Sequence, residues 1–218
     1  SLHLPEEYGG GGGGMTEAVV VVEELAAHGM PMLIWVISPA ICGSILAHHA
    51  SEKLKQEWLP SIADGTRKMA FGLTEPDAGS NSHQLSTTAR RDGDGWVISG
   101  SKYYISAVDQ ADAILLATRD AEHSTSEKGK LSLFVVPTDA PGLTYQRIDT
   151  SIVAPDRQFT VFLDDVRVGP DALIGQAGQG LRQLFDGLNP ERILVGALCS
   201  GVGRYALGKA ADYARERQ

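Results

Sequence analysis

Apolar and polar positions along this chain change period twice. Up to about Asp64 they recur at helical spacing. Thr16 precedes Val19, Val20, Leu25 and Ala26, an amphipathic run that ends near His28-Gly29. Ile34 to Ala50 is apolar almost all round, which predicts a buried helix. Ser51 can cap the next helix, whose Leu54, Trp58, Leu59 and Ile62 share a face. Pro60 sits late in that run and predicts a kinked or non-helical last turn.

From roughly Arg67 to Gly175 the period shortens. β-prone segments alternate with turn signals: Met69 to Leu73, Ser86 to Arg91, Trp96 to Ser99, Lys102 to Ile105, Ala113 to Thr118, Leu131 to Val136, Leu143 to Ile148 and Thr160 to Val168. Asp92-Gly93-Asp94-Gly95 predicts a hairpin turn, because Asp and Gly tolerate positive φ. The polar stretch Asp120 to Lys130 predicts a mobile loop. These strands predict a small β-barrel or sandwich. Helical spacing returns from about Gln179, with Leu181, Leu184, Leu188, Val195, Leu198, Val202 and Tyr205. Helices, then strands, then helix argue against a parallel α/β sheet and for helical layers flanking a separate β domain.

Composition narrows the function. The chain has 218 residues, 43% of them hydrophobic and 21% charged, which fits a folded chain with a sizeable core. Asp plus Glu number 27 against 19 Lys plus Arg, a net charge of −8, so no basic stripe exists to neutralise the phosphates of a nucleic acid. No apolar stretch reaches the roughly 18 to 20 residues of a membrane span. Cys42 and Cys199 lie far apart in apolar context and read as buried thiols of a reducing compartment, with a disulfide as the alternative. The chain opens on Ser1-Leu2-His3 and closes on Arg215-Glu216-Arg217-Gln218 inside a helical pattern, which predicts a piece of a longer polypeptide.

Several segments carry candidate chemistry. Gly9 to Gly14 formally contains G-x-G-x-x-G, but no strand precedes it and no Walker Lys-Ser follows, so a flexible loop is predicted. Thr74-Glu75-Pro76-Asp77-Ala78-Gly79-Ser80 follows an apolar strand. It reads either as an ordinary strand-ending turn or as a turn presenting N–H groups and a hydroxyl to a phosphate or cofactor edge. In Gly100 to Ser106, strand alternation predicts that Tyr103 and Tyr104 point to opposite faces. Asn189-Pro190-Glu191 has the form of a helix start. Yet Glu191 also falls on the stripe Leu184, Leu188, Glu191, Val195, Leu198, Val202. Desolvation there would raise its pKa into the range of a proton-abstracting base. His83 reads as a local polar contact. No metal-ligand spacing and no G-x-S-x-G elbow occurs.

Taken together these segments resemble the acyl-CoA dehydrogenases. Leu4 to Gly10 is similar to the loop before that family's third helix. Phe71 to Ser80 is similar to its flavin-binding signature and Gly100 to Ser106 to its second flavin segment. Leu163 to Val168 is similar to the strand closing its β domain, and Gly187 to Gln218 to the first helix of its C-terminal bundle. The resemblance implies an α+β, mostly helical multi-domain fold. It divides into a partial N-terminal helical domain at 1–66, a middle β domain at 67–175, and the first helix of a C-terminal helical bundle at 176–218.

The resemblance also implies FAD, with Phe71, Leu73, Thr74, Tyr104, Ile105 and Ser106 around the flavin ring and Ser106 reaching its N5 side. Gly79 and Ser80 would stand near its pyrophosphate, and Ser80 also near the acyl-CoA. Many members have Trp and Thr where this chain has Tyr104 and Ser106. The implied reaction is α,β-dehydrogenation of an acyl-CoA thioester to the trans-2-enoyl-CoA. Glu191 would be the base and Asn189 and Arg192 would meet the substrate. In another branch of the family the base lies late in the bundle, beyond Gln218. Implied partners are an electron-transfer flavoprotein or similar acceptor and further copies of the chain, as a homodimer or homotetramer. The implied setting is the bacterial cytoplasm, or else the mitochondrial matrix. Two departures stand out. Ala154-Pro155-Asp156-Arg157 replaces an Arg-Gly-Ser-like turn, and Asn81 stands where many members have Asp. Acyl-CoA oxidases and flavin monooxygenases share the resemblance, and an inactive fragment or CoA-binding scaffold is the non-enzymatic alternative.

Overall fold

A computed structural model describes residues 1–31, 33–125, 129–151 and 156–217. Ala154 and Pro155 of the departing turn, and part of the polar loop before Lys130, lie outside the described residues.

The predicted helices form with local differences. The glycine run before α1 (Met15–Ala27) is hydrogen-bonded rather than loose. Gly11, Gly12 and Gly13 donate their N–H groups to the carbonyls of Ser1, Leu4 and Leu2 at 2.9, 3.0 and 2.9 Å. A Cβ at Gly10 would run into the Leu4 backbone, so close approach explains the glycine better than flexibility does. The single helix expected from Ile34 to Ala50 divides into α2 (Leu33–Trp35), a π-helical stretch at Val36–Gly43, and α3 (Ser44–His49). Pro39 lies inside the π-helical stretch. Its ring and missing N–H disrupt the i→i−4 ladder, and wider π turns accommodate the misfit. In α4 (Glu52–Asp64) Ser51 caps Leu54 N–H at 3.3 Å as expected. The helix continues through Pro60 to Asp64. Pro60 and Gln56 are both exposed, so water can satisfy the carbonyl that the proline leaves free.

The strands are β1 (Met69–Gly72), β2 (Thr88–Asp92), β3 (Gly95–Ser106), β4 (Ala113–Asp120), β5 (Leu131–Pro137), β6 (Leu143–Ile148), β7 (Gln158–Val168) and β8 (Leu173–Ile174). Their order is β6-β7-β3-β2-β4-β5-β8, with β1 also on β4. This is an open mixed sheet, which corrects the closed-barrel form of the expectation. Along one edge of β4, β1 pairs in parallel over Ala113–Leu116 and β2 takes over at Arg119 and Asp120. The sheet folds there, and its two halves enclose one core that includes Trp96, Ile98, Ile114, Phe134, Val161 and Val166. The predicted Asp92–Gly95 turn joins β2 to β3, with Gly93 at φ 62°. The segments expected at Trp96 and Lys102 are one strand, β3, interrupted by register shifts.

β1 fastens the helices to the sheet. Met69 faces the helical core and Ala70 the core inside the sheet. The Met69 N–H is taken by Ser38 Oγ at 3.0 Å, and the buried Cys42 thiol points at the Ala70 carbonyl at 3.6 Å. Burial pushes that thiol's pKa up. Cys199 is exposed, contrary to expectation, and both cysteines are free.

The last helix, α5 (Gly180–Glu216), is continuous. Pro190 lies inside it, so Asn189 does not cap a helix start. Its buried face is Gly180, Gln183, Leu184, Gly187, Leu194, Ala197 and Gly201. The expected stripe is therefore rotated. Leu184 belongs to it, Leu188, Glu191, Val195 and Leu198 flank it half-buried, and Val202 is exposed. A Cβ at Gly201 would lie 2.6 Å from Ala26 Cβ and 3.0 Å from Ala27 N of α1. Gly201→Val should separate the two helices and cost about 1–3 kcal/mol. A melting temperature equal to that of the wild type would refute this close crossing.

Candidate functional site

Two of the segments marked in the sequence, Phe71–Ser80 and Gly100–Ser106, are held side by side by one buried ion pair. Lys102 Nζ lies 2.8 Å from Glu75 Oε1 and 3.1 Å from the Leu73 carbonyl. Both side chains are shut off from water. A buried charge is tolerable only when paired and hydrogen-bonded, and Glu75 meets that condition fully. Its Oε2 accepts from Ser86 N at 2.6 Å and Ser86 Oγ at 2.7 Å, and its Oε1 from Thr87 N at 3.0 Å. Burial pushes the Glu75 carboxyl up, but the Lys102 ammonium and the Ser86 donors outweigh it and hold the pKa at about 2.

The pair shapes both segments. After β1, Glu75 and Ala78 exchange backbone hydrogen bonds at 3.0 and 3.2 Å, so Pro76 and Asp77 form the exposed tip of a tight turn. Gly79 and Ser80 follow it, also exposed. The Thr74 carbonyl accepts from Tyr103 N at 2.8 Å. On β3 the register slips between Lys102 and Ile105, and Tyr104 adopts φ 57°. Such a conformation is costly for an aromatic residue and persists only where the surroundings impose it. The slip removes the simple alternation expected of Tyr103 and Tyr104. Their rings meet edge to face, with centroids 4.3 Å apart.

The result is an accessible strip of mixed character. Tyr104 is 55% exposed, Phe71, Leu73, Thr74 and Ser106 are half-buried, and Ile105 is anchored in the core of the sheet. Apolar side chains lie next to hydroxyls, a combination that suits a flat, amphipathic ring. Asn189, Glu191 and Arg192 stand apart from these residues on α5. Among the described residues no hydrogen bond joins them to the strip. The link is a shared core, against which Phe71, Leu73 and Leu188 all pack. Arg192 donates to Asn189 Oδ1 at 3.3 Å and lies over the Phe185 ring at 5.6 Å. Glu191 is half-buried, and this burial raises its pKa although Arg192 opposes the shift.

Sequence reasoning missed the Lys102 partnership. A lysine within a strand bound for the core was the available signal, since such a charge requires a carboxylate. It missed Gln158 too, whose amide meets the Ser106 hydroxyl. His83 meets the Gly129 carbonyl at 3.2 Å, a contact distant in sequence and not the local one expected. Among the described residues no group of His, Cys, Asp and Glu could hold a metal ion, and no helix is long and apolar enough to cross a membrane. A cavity of about 490 Å³ between α4 and the sheet, lined by Trp58, Asp139 and Arg167 among others, contains none of the expected site residues.

The ion pair makes a testable claim. Glu75→Gln would strand the Lys102 charge and should cost about 3–5 kcal/mol at neutral pH. A carboxyl whose pKa is depressed in the folded state contributes stability above its ordinary value and loses that contribution as pH falls through the depressed one. The difference in thermal stability between wild type and variant should therefore be widest above about pH 4.5 and narrow toward about pH 2. A difference that stays constant over this range would contradict a charged pair.

Comparison with known proteins bears on the fold and the family. Residues 1–66 match the family model "Acyl-CoA dehydrogenase, N-terminal domain", and residues 70–166 match "Acyl-CoA dehydrogenase, middle domain". Acyl-CoA dehydrogenase FadE12 of Mycobacterium tuberculosis is 55% identical over the whole chain, which covers 56% of that protein. Probable acyl-CoA dehydrogenase YngJ of Bacillus subtilis is 35% identical, again over the whole chain and 58% of the relative. The solved butyryl-CoA dehydrogenase of Megasphaera elsdenii superposes with a TM-score of 0.91 at 28% identity, covering 99% of this chain and 57% of that one. A glutaryl-CoA dehydrogenase from Mycobacterium smegmatis, solved in complex with FADH2, gives 0.89 at 29% identity, covering 100% and 54%. The chain thus spans little more than half the length of these relatives. With both family models matched in order and the fold shared throughout, the chain belongs to the acyl-CoA dehydrogenase family.

Proposed function

We propose that this chain forms the FAD-facing and base-bearing part of an enzyme that oxidises an acyl-CoA thioester to the trans-2-enoyl-CoA. The carrying observation is that the Glu75–Lys102 pair sets the Thr74 segment beside the Tyr104–Ser106 segment. Their side chains fit the flavin ring: Phe71, Leu73 and Tyr104 supply apolar surface, Thr74 and Ser106 supply hydroxyls, and the buried Ile105 side chain anchors the Tyr104–Ser106 segment from beneath. The exposed Gly79 and Ser80 suit the pyrophosphate, and Ser80 also the substrate. When bound, FAD supplies the acceptor for the hydride that leaves the substrate β-carbon.

The residues of the chain do the remaining work. Glu191 removes the α-proton. Its burial makes it a stronger base than an exposed glutamate and brings it closer to the activated α-carbon in proton affinity. Asn189 and Arg192, one helical turn apart and hydrogen-bonded to each other, flank the base in sequence and present a polar and cationic surface suited to the CoA side of the substrate. The half-buried apolar side chains of the strip exclude water from the reacting centre.

The same reading divides the chain at 66/67, where the N-terminal family model ends, and at 175/176, beyond the end of the middle-domain model at residue 166. Ile193, Leu207 and Tyr213 are exposed on α5, which supports their burial against further polypeptide in a homodimer or homotetramer. The electron acceptor would be an electron-transfer flavoprotein or a similar carrier. Likeness to mycobacterial and Bacillus relatives supports action in the bacterial cytoplasm.

Glu191→Gln in the full-length protein should keep bound FAD while reducing its bleaching by acyl-CoA by about 10²- to 10⁴-fold, the usual contribution of a general base. Bleaching at the wild-type rate would eliminate Glu191 as the base.

A further inference from the structure

Ser106 has a neighbour that can act on it in two opposite ways. Ser106 and Gln158 are the terminal pair of the antiparallel β3–β7 register, so their side chains share a face. Both polar atoms of the Gln158 amide reach Ser106 Oγ, with Nε2 donating at 2.9 Å and Oε1 accepting at 3.1 Å. The backbone around Ser106 is fixed. Tyr104 and Ala107 on either side sit at φ 57° and 55°, and Ala107 N–H donates to the Arg157 carbonyl at 2.8 Å. Ile105 is buried in the core of the sheet. The hydroxyl hydrogen is what remains free to turn.

We propose that Gln158 is a positioning residue that lets Ser106 reverse its hydrogen bond toward the cofactor and so serve both redox states of the flavin. The inference rests on the FAD reading above. When Nε2 donates to Ser106 Oγ, the hydroxyl hydrogen is free and Ser106 acts as a donor. When that hydrogen turns to Oε1, Ser106 offers a lone pair and acts as an acceptor. The flavin N5 accepts in the oxidised ring and carries an N–H in the reduced ring, so its partner must change role. A side-chain amide has a donor and an acceptor together, and a hydrocarbon has neither.

The sign of the effect follows. Without the amide, Ser106 facing the oxidised ring loses a donor to its spare lone pair, which is tolerable. Facing the reduced ring, its hydroxyl hydrogen has no acceptor, and an orphaned donor is the costlier defect. Gln158→Leu should therefore disfavour the reduced form.

The test uses full-length protein loaded with FAD, with the midpoint potential read by reductive titration in the absence of acyl-CoA. Gln158→Leu should lower the reduction equilibrium about tenfold, equivalent to about 30 mV for a two-electron couple. In a Ser106→Ala background the same substitution should change nothing, because its effect passes through the hydroxyl. Should the leucine variant not fold, Gln158→Asn shortens the amide's reach by one carbon and should move the potential in the same direction. An unchanged potential, or an equal shift in the Ser106→Ala background, would overturn the proposal while leaving the FAD reading intact. A wild-type protein that takes up no FAD would overturn both.

Discussion

The Glu75–Lys102 ion pair is the interaction on which the rest of the site depends. It joins a turn after the first strand to the middle of the third, and it does so beside the Tyr103–Thr74 backbone hydrogen bond. The turn places two exposed residues at its tip, and the strand carries an aromatic residue in a left-handed conformation. Removing either partner of a buried pair typically costs about 3–5 kcal/mol, because the charge left behind has lost its solvent as well. That is a large share of the roughly 5–15 kcal/mol that stabilises a domain. The pair acts through geometry more than through net energy. It fixes which backbone atoms of Leu73, Thr74 and Tyr103 meet, and thereby the surface that faces outward.

A second constraint is the joint between helices and sheet. β1 has four residues and pairs with β4 on one side. On the other side Ser38 and Cys42, from the π-helical stretch, take up its polar groups. Helical side chains thus do the work of a neighbouring strand. Close approach in α5 follows the same logic. Gly187 lies against Ile41 and Ile45, and Gly201 against α1, so small residues set how tightly the helices seat.

Much of this was legible in the chain, and the misses have physical causes. The strand Leu143–Ile148 and the start of the helix capped by Ser51 follow local rules of propensity and capping, so these limits could be read directly, whereas Pro60 did not end that helix. The phase of α5 could not, because its buried face is partly glycine. A hydrophobic pattern assigns glycine no preference, although at Gly187 and Gly201 it is the residue in contact. The π-helical stretch has no period of its own to detect. Tyr103 and Tyr104 defeated alternation because a register slip lies between Lys102 and Ile105. Glu75 and Lys102 find each other across the fold, and no local spacing announces such a pair.

The position of β1 has a consequence for how the chain assembles. Its neighbours lie on both sides of it in sequence: Ser38 and Cys42 before it, Ala113 to Leu116 after it. α3 and α4 therefore lack part of their apolar support until β4 has been synthesised, and the loop carrying Glu75 stays unlocked until Lys102 arrives. Contacts of such long sequence separation form late and slow folding. The segment matching the N-terminal family unit thus shares its apolar core with strands that follow it in the chain. Cut out alone, it would expose the surface on which β1 rests and would be prone to aggregate.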